Sequence, residues 1–169
     1  MMTTLDRRLH AFRPDLADEA LQGQIDAERF VRGTAARVVV PVAAMRPSPD
    51  AGCGIDTELL LGETVRVFER KGGWAWIQAD HDGYVGYLPE TQVEAPEEAT
   101  HVVCVPRTFL YPGPELRRPP KSALSMGSRV KVVGEAETRG TRYLTLADGS
   151  ALIAGHCAPA GQPLAADYV

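Results

Sequence analysis

Few residues of this 169-residue chain are of types that do chemistry, and their spacing narrows them further. His156 precedes Cys157, and a thiol with an imidazole in hydrogen-bond reach is the start of a nucleophilic pair. Neighbours on an extended chain point to opposite sides, so this spacing predicts a packed structural pair and no catalytic residue. Cys53, in Ala-Gly-Cys-Gly, reads as an exposed thiol, and Cys104, within Val-Val-Cys-Val, as a small buried hydrophobe. His101 and Cys104 stand at a spacing zinc tolerates, yet a zinc site takes about four ligands and no second pair accompanies them. No metal and no cofactor are expected. Glu94, Glu97 and Glu98 read as a solvated acidic stretch rather than acid–base machinery. The aromatics of one segment are different. Trp74 and Trp76 alternate with Ala75, and Tyr84 and Tyr87 flank Gly86, which sets four rings on two neighbouring strands. Some of them pack a core or an edge, and an exposed remainder forms a shelf suited to a peptide or a sugar.

The elements that position these residues follow from a repeat. Val38, Val40, Pro41, Pro47 and Pro49 recur 65 positions later as Val103, Val105, Pro106, Pro112 and Pro114. At the same offset Gly62, Val65 and Val67 recur as Gly127, Val130 and Val132. Asp82-Gly83 then matches Asp148-Gly149, and both halves close on Ala-Pro. Within a unit the period is 2, as in Val65 and Val67 or in Trp74, Trp76 and Gln78. Lys71-Gly72-Gly73 and Asp82-Gly83 supply hairpin turns, and the stretch Pro47 to Thr57 is a long excursion. Sixteen Gly and thirteen Pro, well above the usual ~12% together, suit short elements and tight turns. The predicted fold is all-β: two SH3-like small barrels of five strands in tandem, behind a short, partly helical leader. Val38, Val40, Val65, Val67 and Trp76 are expected in one core, and Val103, Val105, Val130, Val132 and Tyr143 in the other.

Four segments result: a leader over 1–33, a first repeat over 34–97, a degenerate second repeat over 98–160, and a linker over 161–169. In the leader, Pro14 and Asp15 predict a short helix through Leu21 with Asp15 as its cap, ended by Gly23, while Gln24 to Val31 is open between helix and strand. The prolines at 112, 114, 119 and 120 stiffen the second excursion or offer it to a proline-binding groove. A net charge of −4 argues against a nucleic-acid partner. The longest apolar run, Val38 to Met45, is far short of the roughly 20 residues that span a bilayer, and the N-terminus lacks the apolar stretch of a secretory signal. No membrane partner and a cytoplasmic location are therefore expected, in line with three cysteines that form no even disulfide framework.

Gly72 to Pro89, reading G-G-W-A-W-I-Q-A and then D-G-Y-V-G-Y-L-P, resembles the bacterial SH3 domain. Two such units behind LDRRLHAFRPDLADEALQGQ resemble the N-terminal half of NlpC/P60 cysteine peptidases of the dipeptidyl-peptidase VI type. That resemblance implies cleavage of γ-D-glutamyl to diamino-acid bonds in peptidoglycan stem peptides. It also implies that these residues are the non-catalytic half, since the family's Asp-Cys-Ser-Gly nucleophile motif does not occur in them. The linker, with its Leu-Ala-Ala-Asp-Tyr-Val ending, resembles the approach to the catalytic domain, through which the chain would meet its stem peptide. In such enzymes an aromatic hydroxyl of the first SH3 domain helps hold the free amino end of the stem peptide. The matching residue is Tyr84, and Trp74 and Tyr87 join it as expected substrate-binding residues. The second repeat replaces Trp76 by Tyr143 and the Gly-Tyr-Val-Gly-Tyr segment by Gly149 to Ile153, so no ligand role is implied for it. The alternatives are a free-standing module that binds cell wall or a proline-rich peptide, and a structural spacer.

Overall fold

The computed structural model describes residues 5–162. The linker over 161–169 falls largely outside them. Two compact units divide the chain, the first built chiefly on residues up to Pro96 and the second on those from Glu97.

In the first unit two leader strands, β1 (Ala17–Asp18) and β2 (Phe30–Val31), pair in parallel. The repeat follows with β3 (Thr34–Val38), β4 (Val42–Met45), β5 (Thr57–Leu60), β6 (Thr64–Lys71), β7 (Trp74–Ala79), β8 (Val85–Pro89) and β9 (Val93–Glu94). Strands β8, β7, β6, β3 and β9 lie side by side in that order, and β4 pairs with β5. The predicted turns are those formed: Gly72 and Gly73 adopt φ of 60° and 82° between β6 and β7, and Gly83 adopts 76° before β8. Such left-handed pairs match the twist of a two-residue hairpin. The excursion between β4 and β5 is held from within, by the Arg46 guanidinium on the Cys53 carbonyl and by Asp50, whose carboxylate accepts from the Gly52 N–H at 2.8 Å.

The second unit follows the same order of elements, with one strand divided. It runs β10 (His101–Val103), β11 (Arg107–Leu110), β12 (Ser122–Ser125), β13 (Arg129–Val130), β14 (Gly134–Thr138), β15 (Thr141–Thr145), β16 (Ala151–Ile153) and β17 (Cys157–Pro159). Where the first unit has the unbroken eight-residue β6, kinked by a register shift between Val67 and Glu69, the second has β13 and β14 with a gap between them. The five-strand order is thereby split into β16-β15-β14 and β13-β10-β17. The expectation of five strands per unit is corrected here. Among the described residues the strands are more numerous and shorter, and no sheet closes on itself.

The inner core of the first unit holds Val38, Val65 and Val67 as expected, with Ala75, Ile77, Leu88 and Met45, and Val40 packs against it. Trp76 does not belong to it. With a period of 2, a strand that sends Ala75 and Ile77 inward must send Trp76 to the other face. There Trp76, 4% exposed, packs with Phe68, Val85 and the leader residues Ala11 and Leu16. Strand β7 is thus buried on both sides, and the leader is the second layer. In the second unit Val103 and Val130 are core, with Val105 and Val132 packed against them. Tyr143, the counterpart of Trp76, is 1% exposed yet stands apart from that cluster, and its hydroxyl accepts the Leu116 N–H at 3.1 Å.

The predicted leader helix is replaced by strand β1 and one 3-10 turn, Glu19–Leu21. Asp18, not Asp15, caps it, accepting from the Ala20 N–H at 3.1 Å. Asp15 instead forks onto Arg13 at 2.9 and 2.7 Å. The ambiguous segment ends as a strand because Phe30 and Val31 find an open edge at Ala17 and Asp18.

Arg13 fixes this layer. Its guanidinium lies 4.5 Å above the Trp76 ring, donates to the Tyr87 hydroxyl at 3.2 Å and pairs with Glu69 at 2.8 Å. Burial opposes its charge, but the bonds to Asp15, Tyr87 and Glu69 outweigh that and raise its pKa. Arg13→Ala should lower unfolding stability by about 1–2 kcal/mol in urea melts followed by Trp fluorescence. In the second unit, hydrogen bonds from Ser150 and Lys121 hold Asp148 down to about 2. A depressed carboxylate contributes stability above its unfolded pKa, near 3.8, and loses it as pH falls toward 2. Asp148 is half exposed, so Asp148→Asn should cost no more than about 1 kcal/mol at pH 7, and the gap to wild type should close in melts between pH 4 and 2.

Candidate functional site

The hairpin of β7 and β8 presents the aromatic residues singled out by the sequence, and its register separates them. Trp74 pairs with Pro89 at one end, whereas the Ala79 N–H donates to the Tyr84 carbonyl at 2.9 Å at the other. Five residues of strand, roughly 17 Å, lie between Trp74 and Tyr84. Tyr87 pairs with Trp76 on the leader-covered face, and Arg13 engages its hydroxyl. A single shelf of four rings is therefore not formed. Trp76 is interior, Trp74 and Tyr87 are half-buried on the outer face, and Tyr84 packs its ring against the inner core.

The corner at Tyr84 is the most closely built part of this surface. Asp82 accepts the Tyr84 N–H at 3.0 Å, which fixes the turn. The Gln78 side-chain amide donates both to the Gly83 carbonyl and to the Leu9 carbonyl, each at 2.9 Å, so one side chain ties turn and leader together. The Val85 N–H donates to the Arg8 carbonyl at 2.7 Å. On the other side, β4 meets β8 through reciprocal bonds of Arg46 and Tyr87 at 3.0 and 2.8 Å. Gly86 permits this approach: a Cβ there would stand 2.5 Å from Met45 Cγ and 2.7 Å from the Arg46 carbonyl oxygen. The exposed Asp56 ends the excursion nearby, its N–H bonded to the Met45 carbonyl at 2.9 Å.

Charge is also set at this corner. Arg8 is forked onto Asp6, at 2.9 Å from Nη2 and 3.2 Å from Nε. That pairing raises the arginine's pKa, with smaller contributions from Tyr84 and Asp56, and lowers the pKa of Asp6. Backbone bonds set Arg8 beside Val85 and Asp56 beside Met45. Reading the sequence missed Arg8 and Asp56 because the leader and the excursion lie outside the aromatic pattern; the local signal was the Arg7-Arg8 pair ahead of an apolar residue. An open groove of about 620 Å³ on the leader side, lined by Asp18, Glu19, Arg32 and Arg66 among others, has its charges paired internally, at 3.3 Å for Arg66 with Asp18 and 2.5 Å for Arg32 with Glu19.

The His156 and Cys157 neighbours do not combine. His156 turns Nδ1 to the buried Thr108 hydroxyl at 2.8 Å, and burial, with Cys104 adding to it, pushes the Cys157 thiol up to about 11. Cys104 is half-buried rather than fully buried, and Cys53 is half-buried, with its thiol donating to the Asp50 carbonyl at 3.0 Å, rather than exposed. Among the described residues no group of three or more His, Cys, Asp or Glu side chains could hold a metal.

Residues 45–93 match the family model described as the bacterial dipeptidyl-peptidase SH3 domain. No curated protein sequence matches the chain. Among solved structures, an NlpC/P60 family protein from Bacillus cereus ATCC 10987 is similar in fold, at TM-score 0.56 and 18% identity over 74% of this chain and 56% of that one. NlpC2 from Trichomonas vaginalis aligns at TM-score 0.34 and 12% identity, over 77% of this chain and 49% of that one. The chain spans about half the length of these relatives.

The thiol environment sets reactivity. Alkylation of Cys157 by iodoacetamide, followed by peptide mass spectrometry, should remain slow at pH 8 and keep rising with pH to about 11, because only the thiolate attacks. A plateau near pH 8.5 would contradict the burial described.

Proposed function

We propose, for a chain whose residues 45–93 form a bacterial dipeptidyl-peptidase SH3 domain, that it is the non-catalytic half of an NlpC/P60 peptidase. Its two repeats act as SH3-like small barrels. The peptidase cleaves the γ-D-glutamyl to diamino-acid bond of peptidoglycan stem peptides in cytoplasmic muropeptide recycling or degradation. The first repeat leans on the catalytic domain and helps present the substrate, with Tyr84 holding its free amino end; Trp74 and Tyr87 border the outer face.

The Tyr84 corner is the observation that supports this reading. The ring is packed on the inner core, the backbone is fixed by Asp82, and among the described residues the phenol makes no hydrogen bond. A phenol held so can accept from an ammonium without reorganising. The thiol of Cys157, protonated at neutral pH and without its neighbouring imidazole, is unsuited to be the nucleophile, which supports placing catalysis elsewhere in the parent protein.

Joined to its peptidase domain, the protein should release L-Ala-D-Glu from L-Ala-γ-D-Glu-diaminopimelate. Tyr84→Phe should lower kcat/KM about two- to tenfold, the loss of one hydrogen bond of about 0.5–1.5 kcal/mol, with melting unchanged. The 169-residue chain alone should release nothing. Turnover by the chain alone that is abolished by Cys157→Ser, or an unchanged kcat/KM for Tyr84→Phe, would overturn this reading. A stop codon directly after Val169, with cell-wall binding by the isolated chain, would instead support a free-standing module.

A further inference from the structure

Four backbone groups flank the Cα of Tyr84, and each is hydrogen-bonded. The Tyr84 N–H goes to the Asp82 carboxylate at 3.0 Å, and the Tyr84 carbonyl takes the Ala79 N–H at 2.9 Å. The Val85 N–H goes to the Arg8 carbonyl at 2.7 Å, and the Gly83 carbonyl takes the Gln78 side-chain amide at 2.9 Å. Peptide units are planar, so holding both neighbours fixes the direction in which the Tyr84 side chain leaves the main chain. Asp82 belongs to the turn and moves with it. Gln78 stands on β7, opposite Val85, and ties the turn to the sheet.

The Gln78 amide can face only one way. Arg66 Nη2 lies 2.5 Å from one end of it, and a guanidinium only donates, so that end is the oxygen. The other end meets the Gly83 and Leu9 carbonyls, each at 2.9 Å, and carbonyls only accept, so it is the nitrogen with both N–H groups in use. Arg66 is held in turn by the buried Asp18 carboxylate of β1, at 3.3 Å. A continuous row of bonds thus runs from Asp18 through Arg66 and Gln78 to the peptide unit that enters Tyr84.

We propose that Gln78 is a positioning residue for Tyr84, acting through the Gly83–Tyr84 peptide unit to set where the phenol stands, with Arg66 deciding which end of the amide meets the turn. The inference rests on the reading of Tyr84 as the seat of an amino end. Hydrogen bonds weaken steeply as they bend, so a phenol that wanders with its turn holds an ammonium less well than one kept in place. Leu9 and Asp18 both belong to the leader, which therefore contributes to the placement of Tyr84 as well as to the cover of Trp76.

Two substitutions test it. Gln78→Glu keeps the shape of the side chain and the bond to Arg66 but has no N–H to give the two carbonyls, and Gln78→Met keeps the length and removes all three bonds. In the full chain with isotope-labelled tyrosine, both should shift and broaden the Tyr84 ring signals in NMR spectra. The Tyr87 ring, whose hydroxyl Arg13 engages, reports on the docked leader, and its signals should stay in place. Joined to the peptidase domain, Gln78→Glu should lower kcat/KM for L-Ala-γ-D-Glu-diaminopimelate about twofold to tenfold, and no more than Tyr84→Phe does. Added to Tyr84→Phe it should lower kcat/KM no further, because both substitutions remove one and the same interaction. Arg66→Met, which leaves the amide free to turn over, should give a smaller loss of the same kind. Tyr84 signals unmoved in both Gln78 variants would overturn the role of Gln78 and leave the Tyr84 reading standing. So would losses that multiply with that of Tyr84→Phe, the mark of a structural contribution only, or Tyr84 and Tyr87 signals moving together, the mark of a released leader. An unchanged kcat/KM for Tyr84→Phe would overturn the Tyr84 reading and this inference with it.

Discussion

Over Ala75 to Ile77 strand β7 is buried on both faces, and the rest of the first unit is arranged around that constraint. Ala75 and Ile77 go inward by alternation, which forces an indole of Trp76's size to the other side. An indole there needs a cover, and Ala11 and Leu16 supply one. The cover is a polar backbone on its own, so it must also be hydrogen-bonded: the Asp18 N–H goes to the Ala11 carbonyl, the Ala17 N–H to the Arg29 carbonyl, and β1 pairs with β2. Arg13 fastens the layer at its centre. A cation is tolerated there because the ring face and two carboxylates replace the water it loses.

The two repeats show how one strand order carries different local geometry. In the first, β6 runs for eight residues and absorbs its curvature in one register shift. In the second, the equivalent strand is interrupted before Gly134, and the sheet parts into two groups of three. Tyr143 then takes the position of Trp76 without a leader to cover it and turns its hydroxyl to the backbone of the second excursion, at Leu116. An indole could not reach that acceptor role, since its N–H only donates.

Much of this was legible in the sequence because it rests on local rules. The period of 2 located Val65 and Val67 on one face, the Gly72-Gly73 and Asp82-Gly83 pairs located the turns, and the constant 65-residue offset located the second unit. What escaped is non-local. The helix expected from Pro14 and Asp15 has the right capping residues, but the open edge of Phe30 and Val31 competes for the same backbone and wins. The core position expected for Trp76 followed from treating β7 as half-exposed, and nothing in residues 72–89 announces a second layer. Tyr84 could be singled out from its motif, whereas Arg8 and Asp56 reach its corner through backbone bonds to Val85 and Met45 that no spacing encodes.

The layering also orders events during synthesis. Arg13 and Leu16 leave the ribosome before their partners on β7, which follow about 60 residues later, or roughly 3 to 12 s at 5–20 residues per second. For that interval the leader has no surface to lie on. Its apolar content is low and interrupted by charge, with Asp6, Arg7, Arg8, Arg13 and Asp15 around Leu9, Ala11 and Leu16, so the waiting segment is soluble by itself. The same charges that orient it once docked thus keep it from associating beforehand.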